Sequence, residues 1–267
     1  MNNQITDKQL EVLEGFIGYG KLNAEIIFFG IEEAGGGYEN LKMRFSMDKY
    51  EYLDCKRFHL DNLKKTDYHN ENEKYSVKLQ KVWMYMSYLM LRYKGHSKKE
   101  ILDNRRQLLR EYQNNRLGTS NEKGETLLTE LFPIPCDSDK IWGTKNESYT
   151  KIIPQYKSKK DYRESILLKR KKKFQNLINS TDFSASVIIC YGKRNWKEFE
   201  KFFNDFNVQF HKIDTSKECK MGILKDDIKV FLTPFFGNGQ MGYEGLDEII
   251  EEIKSKRKLT TLIKTKN

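Results

Sequence analysis

Four short apolar runs are spaced along the chain and are separated by longer stretches of helical pattern. Each run is rich in Ile, Val, Leu or Phe and ends at or beside a Gly or Pro; the runs are 24–30, 127–132, 187–192 and 229–234. Short continuous apolar runs predict strands that are buried on both faces of a sheet. We therefore expect an α/β fold, a three-layer α/β/α sandwich with a central, largely parallel four-stranded sheet. The carboxyl ends of such strands share one edge, where open α/β sheets place their ligand crevice.

Apolar residues that recur every three or four positions predict helices over 6–17, 74–94 and 195–206, and a basic helix over 161–179. No Pro- or Ser-rich linker interrupts the 267 residues, so we expect a single domain spanning 1–267. Within it we predict a mostly helical insertion at about 72–115 and a basic C-terminal tail.

The formal net charge of +10 favours a polyanionic partner such as DNA over the alternative, an ordinary solvated surface rich in lysine. No run of about 18 apolar residues occurs, and the N-terminus lacks the features of a signal peptide, so we expect a cytoplasmic protein without a membrane partner. The four cysteines form no C-x-x-C pair and the four histidines show no metal-ligand spacing. We therefore expect no metal and no cofactor, and we expect a monomer.

The first apolar run leads into two carboxylates, Glu32 and Glu33, and then into the glycines 35–37. Glycines after a buried strand can cradle a phosphate, but neither the dinucleotide fingerprint nor the Walker pattern is present, and the acidic pair would repel phosphates. The alternatives are a tight turn with a solvated acidic pair, or a loop whose glycines let a ligand approach a reactive carboxylate.

The segment Gly30-Ile31-Glu32, with the Gly-rich turn that follows it, resembles the first motif of the uracil-DNA glycosylase superfamily. The resemblance extends, in short stretches, over roughly residues 24 to 250. It includes 128–132, where the family has a strand ending near a base-reading Asn, and 231–235, where the family has its second catalytic motif.

Three residues depart from the family pattern. Glu33 replaces the Pro of the first motif, Thr233 replaces the His that stabilises the departing base, and Glu130 replaces the base-reading Asn. His59 or His69 is a candidate to replace the missing His. An ionised Glu130 would only accept hydrogen bonds, so it would favour a base with an exocyclic amino group, such as cytosine; the alternative is a salt-bridged surface Glu.

The resemblance and the chemistry of N-glycosidic bonds together predict site residues. Glu32 would position the hydrolytic water, and Thr233 would contact the leaving group. The predicted base-binding residues are Gly30, Ile31, Tyr38, Phe45, Glu130 and Asn238. The aromatic members of this set would stack on a flipped base, although ordinary packing is the alternative for each of them.

Basic side chains on and near the 161–179 helix are predicted to grip phosphates, and the loop after the last apolar run is predicted to enter the duplex. The predicted DNA-binding residues are Lys157, Lys160, Lys169, Lys171, Lys172, Phe236 and Gln240. The alternatives are a solvated helix face and a mobile loop.

The sequence thus predicts a metal-independent, monofunctional DNA glycosylase that releases an altered or modified base. Its substrate would be a duplex with a flipped base, or single-stranded DNA, in base excision for DNA repair or in phage defence. Two alternatives stay open: a non-catalytic, glycosylase-like protein that senses DNA, and a small-molecule nucleotide enzyme.

Overall fold

The computed structural model describes most of the chain. The described residues are 3–47, 52–55, 58–59, 69–70, 73–77, 79–138 and 140–255. Among these, no helix has the length and apolar character needed to cross a membrane.

The described chain contains one large mixed sheet of seven strands, which an additional two-residue strand extends at one edge. The strands are β1 (Gly18–Gly20), β2 (Ile26–Ala34), β3 (Tyr52–Leu53), β6 (Thr126–Cys136), β7 (Val187–Tyr191), β8 (His211–Ile213), β9 (Cys219–Leu224) and β10 (Ile228–Thr233). Their spatial order is β3-β1-β6-β2-β7-β10-β9-β8, and β3 is the additional strand. A separate hairpin pairs β4 (His69–Asn70) with β5 (Glu73–Val77).

The four predicted apolar runs form the centre of this sheet. They correspond to β6, β2, β7 and β10, which are neighbours in that order and run parallel. The prediction of a four-stranded sheet is wrong, because short strands continue it on both sides. β1 pairs antiparallel with β6, and β9 and β8 continue antiparallel from β10. These edge strands are short, glycine-bearing or polar, so no continuous apolar run marks them in the sequence.

Strand β6 continues through Pro133 and Pro135, where the sequence predicts that it stops. The neighbour β1 pairs only with residues 127–129, and beyond that point β6 pairs with β2 alone. A proline is tolerated where its missing N–H faces no partner strand. The longer strand brings Cys136 level with Ala34 at the carboxyl edge.

Nine helices are present in the described residues. They are α1 (Asp7–Gly15), α2 (Tyr38–Phe45), α3 (Lys81–Tyr93), α4 (Lys98–Asp103), α5 (Arg105–Asn115), α6 (Tyr149–Ile152), α7 (Lys159–Ile178), α8 (Trp196–Asn204) and α9 (Tyr243–Lys254). A capping box between Thr6 and Gln9 begins α1. The predicted helix 74–94 begins only at Lys81, because 73–77 form β5.

Adjacent phenylalanines of β2 face opposite sides of the sheet, as the period of two in a strand requires. The Phe29 ring contacts Phe174 of α7 and Phe199 of α8, whereas Phe28 contacts Phe236 in the loop before α9. Helix α3, from the predicted insertion, buries its Met- and Leu-rich face and packs against α5 and α9. Both faces of the central strands are therefore covered, and the carboxyl ends of the strands are left to form a site.

Candidate active site

Strand β2 runs through both glutamates of the first motif instead of ending at Gly30. Glu32 pairs with Phe132 of β6, and the register shifts before the ladder resumes at Ala34 and Cys136. Glu32 and Glu33 are adjacent in the strand, and their carboxyl groups bind residues on opposite sides of it. The two carboxylates therefore have different environments.

Glu32 is held by two cations of α7. Its Oε1 accepts from Lys159 Nζ at 2.5 Å and its Oε2 accepts from Arg163 Nη2 at 3.0 Å. Lys159 also donates to the carbonyl oxygens of Ser138 and Ile141. The Glu32 side chain is only 5 % exposed. The positive charges of Lys159 and Arg163 therefore offset the charge of Glu32, and both carboxylate oxygens accept a hydrogen bond.

Glu33 lies on the other face, in a cluster of donors. Its Oε1 accepts from Arg44 Nη2 at 2.9 Å and lies 3.1 Å from His59 Nε2, and its Oε2 accepts from the Tyr19 hydroxyl at 2.7 Å. Burial alone would raise the pKa of the Glu33 carboxyl, but Arg44 and His59 outweigh burial and hold the pKa well below its usual range. Glu33 is therefore a fixed negative charge at neutral pH.

His59 connects this cluster to the chain after β3. Its Nδ1 lies 2.6 Å from the carbonyl oxygen of Cys55, and its Nε2 faces Glu33. A carbonyl and a carboxylate oxygen only accept hydrogen bonds, so each ring nitrogen lies beside an acceptor.

Glu130 stands opposite Gly30 on the neighbouring strand. A Cβ at position 30 would lie 2.1 Å from Glu130 Oε2, so the carboxyl fills the space that the glycine leaves. This oxygen is inaccessible to solvent and has no hydrogen-bond partner among the described residues. Burial and the charges of Glu33 and Glu32 raise the pKa of Glu130 well above its ordinary value, against a lowering hydrogen bond from Tyr191. Burial thus favours the protonated form of Glu130.

These groups meet in one cleft at the carboxyl edge of the sheet, with a volume of about 360 Å³; we call it the acidic cleft. This volume falls within the roughly 300–1,000 Å³ typical of small-molecule sites. The lining residues are Ile31, Glu32, Glu33, Ala34, His59, Gln80, Lys81, Val82, Trp83, Glu130, Tyr191, Asn195 and Phe235. The cleft therefore combines an acidic floor with aromatic walls and a lysine.

The predicted catalytic and base-binding residues separate into two groups. Glu32, Ile31 and Glu130 line the acidic cleft, and Gly30 lies beneath Glu130. Thr233 is 0 % exposed, and its hydroxyl donates to the Cys190 carbonyl oxygen.

The other predicted base-binding residues lie outside the lining of this cleft. Tyr38 and Phe45 pack against the core. Asn238 is exposed in the loop before α9, where its Oδ1 accepts from Lys81 Nζ at 2.7 Å.

The glycines 35–37 pack against the segment before α6. Tyr149 Oη accepts from the Gly37 N–H at 2.9 Å, and a Cβ at Gly36 would lie 2.5 Å from the same oxygen. Gly35 and Gly37 have positive φ angles, of 89° and 93°. The glycines thus form a tight turn against Tyr149 and do not line the acidic cleft.

Most of the basic run in α7 is bound to the protein itself. Lys169 pairs with Glu14, Lys171 pairs with Asp205, and Arg170 donates to the carbonyl oxygens of Phe16 and Glu130. Lys157 and Lys172 are exposed, and Lys160 lines a different cleft.

In the predicted duplex-entering loop, Phe236 is 0 % exposed and packs on Phe28 and Tyr191. The exposed tip is polar, Asn238 to Gln240. The side chain of His69 lies outside the described residues.

Glu33, Arg44, Trp83 and Tyr191 are not among the predicted site residues. Tyr191 immediately precedes Gly192 at the end of an apolar run, which is a signal that could have found it. Trp83 lies in the apolar pattern that predicts the helix over 74–94, and this pattern does not distinguish a site residue from a core residue. The partnership of Arg44 with Glu33 is a tertiary contact that no local pattern indicates.

No group of three or more His, Cys, Asp or Glu residues in the described part of the chain is arranged to hold a metal ion. Comparisons of the chain with models of known families, with curated proteins and with solved structures find no match. The chemistry of the site must therefore be argued from its own geometry.

Proposed function

We propose that the protein hydrolyses the N-glycosidic bond of an altered or modified base in DNA. The observation that carries the proposal is the pair of carboxyl groups in the acidic cleft, Glu33 held ionised and Glu130 held protonated. Two titratable groups whose surroundings push their pKa values apart are the usual mark of an acid and a charge-stabilising partner. We also propose that the helices and the sheet form the three-layer α/β/α sandwich that the sequence predicts.

In this reaction, water adds to C1′ of the sugar, the C1′–N bond breaks, and the base leaves with the bonding electron pair and takes up a proton. The water gives up one proton in return, so the acid that protonates the base is restored. The transition state carries positive charge on the sugar. A carboxylate fixed in a partly dry cleft stabilises such charge without reorganising. Glu33 would supply this charge, and its Oε2, which receives one hydroxyl hydrogen bond from Tyr19, keeps acceptor capacity to orient a water.

Glu130 would protonate the departing base or donate a hydrogen bond to it. It would thus stabilise the departing base, which is the role of the family's His that Thr233 replaces in this sequence. A protonated carboxyl both donates and accepts, so the preference for exocyclic amino groups expected of an ionised Glu130 does not follow. Trp83, Tyr191 and Phe235 would hold a flipped base between aromatic surfaces.

The proposal is tested with single-stranded and duplex oligonucleotides that each carry one altered base, such as uracil, hypoxanthine or 5-methylcytosine. Abasic sites are detected by alkaline strand scission, and the released base is detected by mass spectrometry. Glu130→Gln is expected to lower the rate by about 10²–10⁴-fold, the range typical of a lost general acid. Glu122→Gln, an exposed carboxyl in the loop before β6, is the matched control. If the protein forms no abasic site at any base, the proposal is wrong.

A non-catalytic DNA sensor is the second candidate. It is favoured by Glu32 and Thr233, because the first has both oxygens engaged by cations and the second is fully buried. Tight binding of DNA without abasic sites would support this candidate.

A further inference from the structure

A second cleft, with a volume of about 330 Å³, lies between α7 and α8; we call it the basic cleft. Its lining contains five cations and two carboxylates, together with one leucine. The residues are Lys140, Lys159, Lys160, Arg163, Glu164, Leu167, Glu198 and Lys201. This excess of positive charge within a concave surface is suited to an anion.

The cations of the basic cleft have different tasks. Lys159 donates to Glu32 and to two carbonyl oxygens, so all three of its donors are bound within the protein and none is left for a ligand. Lys140 and Lys201 are exposed and form no ion pair with any residue that the structure describes. Lys160 approaches Glu164 only to 3.8 Å, and both side chains are largely exposed, so this pair is weak. Three lysines are therefore available for a ligand.

The basic cleft and the acidic cleft lie side by side. Glu32 lines the acidic cleft, and its two partners, Lys159 and Arg163, line the basic one. Helices α7 and α8 also begin at the edge of the sheet where β6 and β7 end. The two clefts therefore adjoin each other through the ion pairs of Glu32.

We propose that the basic cleft holds a phosphate group of the substrate whose base enters the acidic cleft. The inference rests on the proposed function and gives it a phosphate subsite formed by Lys140, Lys160 and Lys201. The ligand chemistry is a phosphate group, which a DNA strand carries as a diester and a free nucleotide carries as a monoester. The subsite differs from the predicted one, because Lys169 and Lys171 are paired with carboxylates of the protein.

The test compares two triple variants with the same change of charge. In the first, Lys140, Lys160 and Lys201 are replaced by Gln; in the control, Lys8, Lys99 and Lys123 are replaced, which are exposed and line neither cleft. Binding of a fluorescent DNA strand of about 20 nucleotides is measured by anisotropy over a series of salt concentrations. The first variant should bind at least about tenfold more weakly at low salt, and the slope of log K against log salt should fall by about 2. The control should change affinity by less than roughly threefold.

A second arm identifies the source of the phosphate. A deoxynucleoside monophosphate is titrated calorimetrically into the wild type and both triple variants. Selective loss of strand binding in the cleft variant assigns the subsite to DNA, and selective loss of monophosphate binding assigns it to a free nucleotide; both support a phosphate subsite. Equal losses in the two triple variants, or no loss in either, would overturn it. Because unmodified DNA serves as the probe, a protein that binds through this cleft but forms no abasic sites would contradict only the proposed function.

Discussion

The carboxyl group of Glu130 occupies the place that a side chain at Gly30 would fill, across the ladder between β6 and β2. The two residues therefore constrain each other. Gly30→Ala should lower the free energy of unfolding by about 1–3 kcal/mol, because its methyl group meets a carboxyl with no room to move. In a Glu130→Ala background the same change should cost less than about 1 kcal/mol, since the methyl group enters the vacated space.

Urea denaturation of the four proteins in this double-mutant cycle measures the coupling. Gly15→Ala is the control, because a Cβ there meets only the end of the Lys173 side chain, at 3.8 Å. Equal costs of Gly30→Ala in both backgrounds would show that Glu130 does not fill the space above Gly30.

Removal of the Glu33 charge should destabilise the protein strongly. Glu33→Gln leaves Arg44, which is 0 % exposed, without its carboxylate, and breaking a buried pair in this way typically costs about 3–5 kcal/mol. Since folding lowers the pKa of Glu33, its contribution is present above the ordinary value of 4.5 and is lost as the pH falls toward the folded value. The difference between wild type and variant should shrink steadily below that pH.

Chemical denaturation of wild type and Glu33→Gln at several pH values measures this dependence. Glu122→Gln, on the surface, should change stability by less than about 0.5 kcal/mol. A difference between wild type and Glu33→Gln that stays constant from neutral to acidic pH would contradict the assignment of Glu33 as ionised.

For Glu130 we expect the opposite dependence of stability on pH. Folding raises its pKa, so the folded protein holds this proton more tightly than the unfolded chain does. The contribution of Glu130 to stability should therefore be greatest below pH 4.5 and decrease as the pH rises toward the folded pKa. Glu130→Gln has no proton to lose, so at neutral pH it should be more stable than wild type, by on the order of 1 kcal/mol.

The comparison is made from melting curves at acidic and neutral pH. The gain in melting temperature for Glu130→Gln should grow as the pH rises between these limits. A variant that is less stable than wild type at neutral pH would indicate that Glu130 is an ionised, paired carboxylate.

The sequence was sufficient to predict the central strands because each is a continuous apolar run whose strand tendency is local. It could not predict which glutamate faces Arg44 and His59. That outcome depends on β2 continuing past Gly30, and the continuation depends on pairing with β6 more than 90 positions away in the chain. A difference of one position moves a side chain to the other face of the sheet. The prediction for Glu32 selected this strand end, and the structure places the neighbouring Glu33 in the donor cluster.

The sequence was likewise insufficient to predict which basic residues are available to bind a ligand. The run 169–173 looks like a solvated or DNA-gripping face, yet its lysines and arginine meet Glu14, Asp205 and backbone carbonyl groups that only the fold brings near. By contrast, Lys140 and Lys201 have no adjacent basic residue in the sequence and no local signal. A count of charges predicts the net field of a protein but not which charges are available to a ligand.

Given the proposed reaction, the dependence of its rate on pH should identify Glu130 as the acid. The value of kcat/KM should decrease on the basic side, where Glu130 loses its proton, and should stay flat on the acidic side because Glu33 remains ionised. Tyr191 lowers the pKa of Glu130 through a hydrogen bond. Tyr191→Phe should therefore move the basic limb to higher pH, whereas Glu130→Gln should abolish this limb along with most of the rate. Steady-state rates of base release across the pH range measure both effects, and a basic limb that neither variant moves would assign the acid to another group.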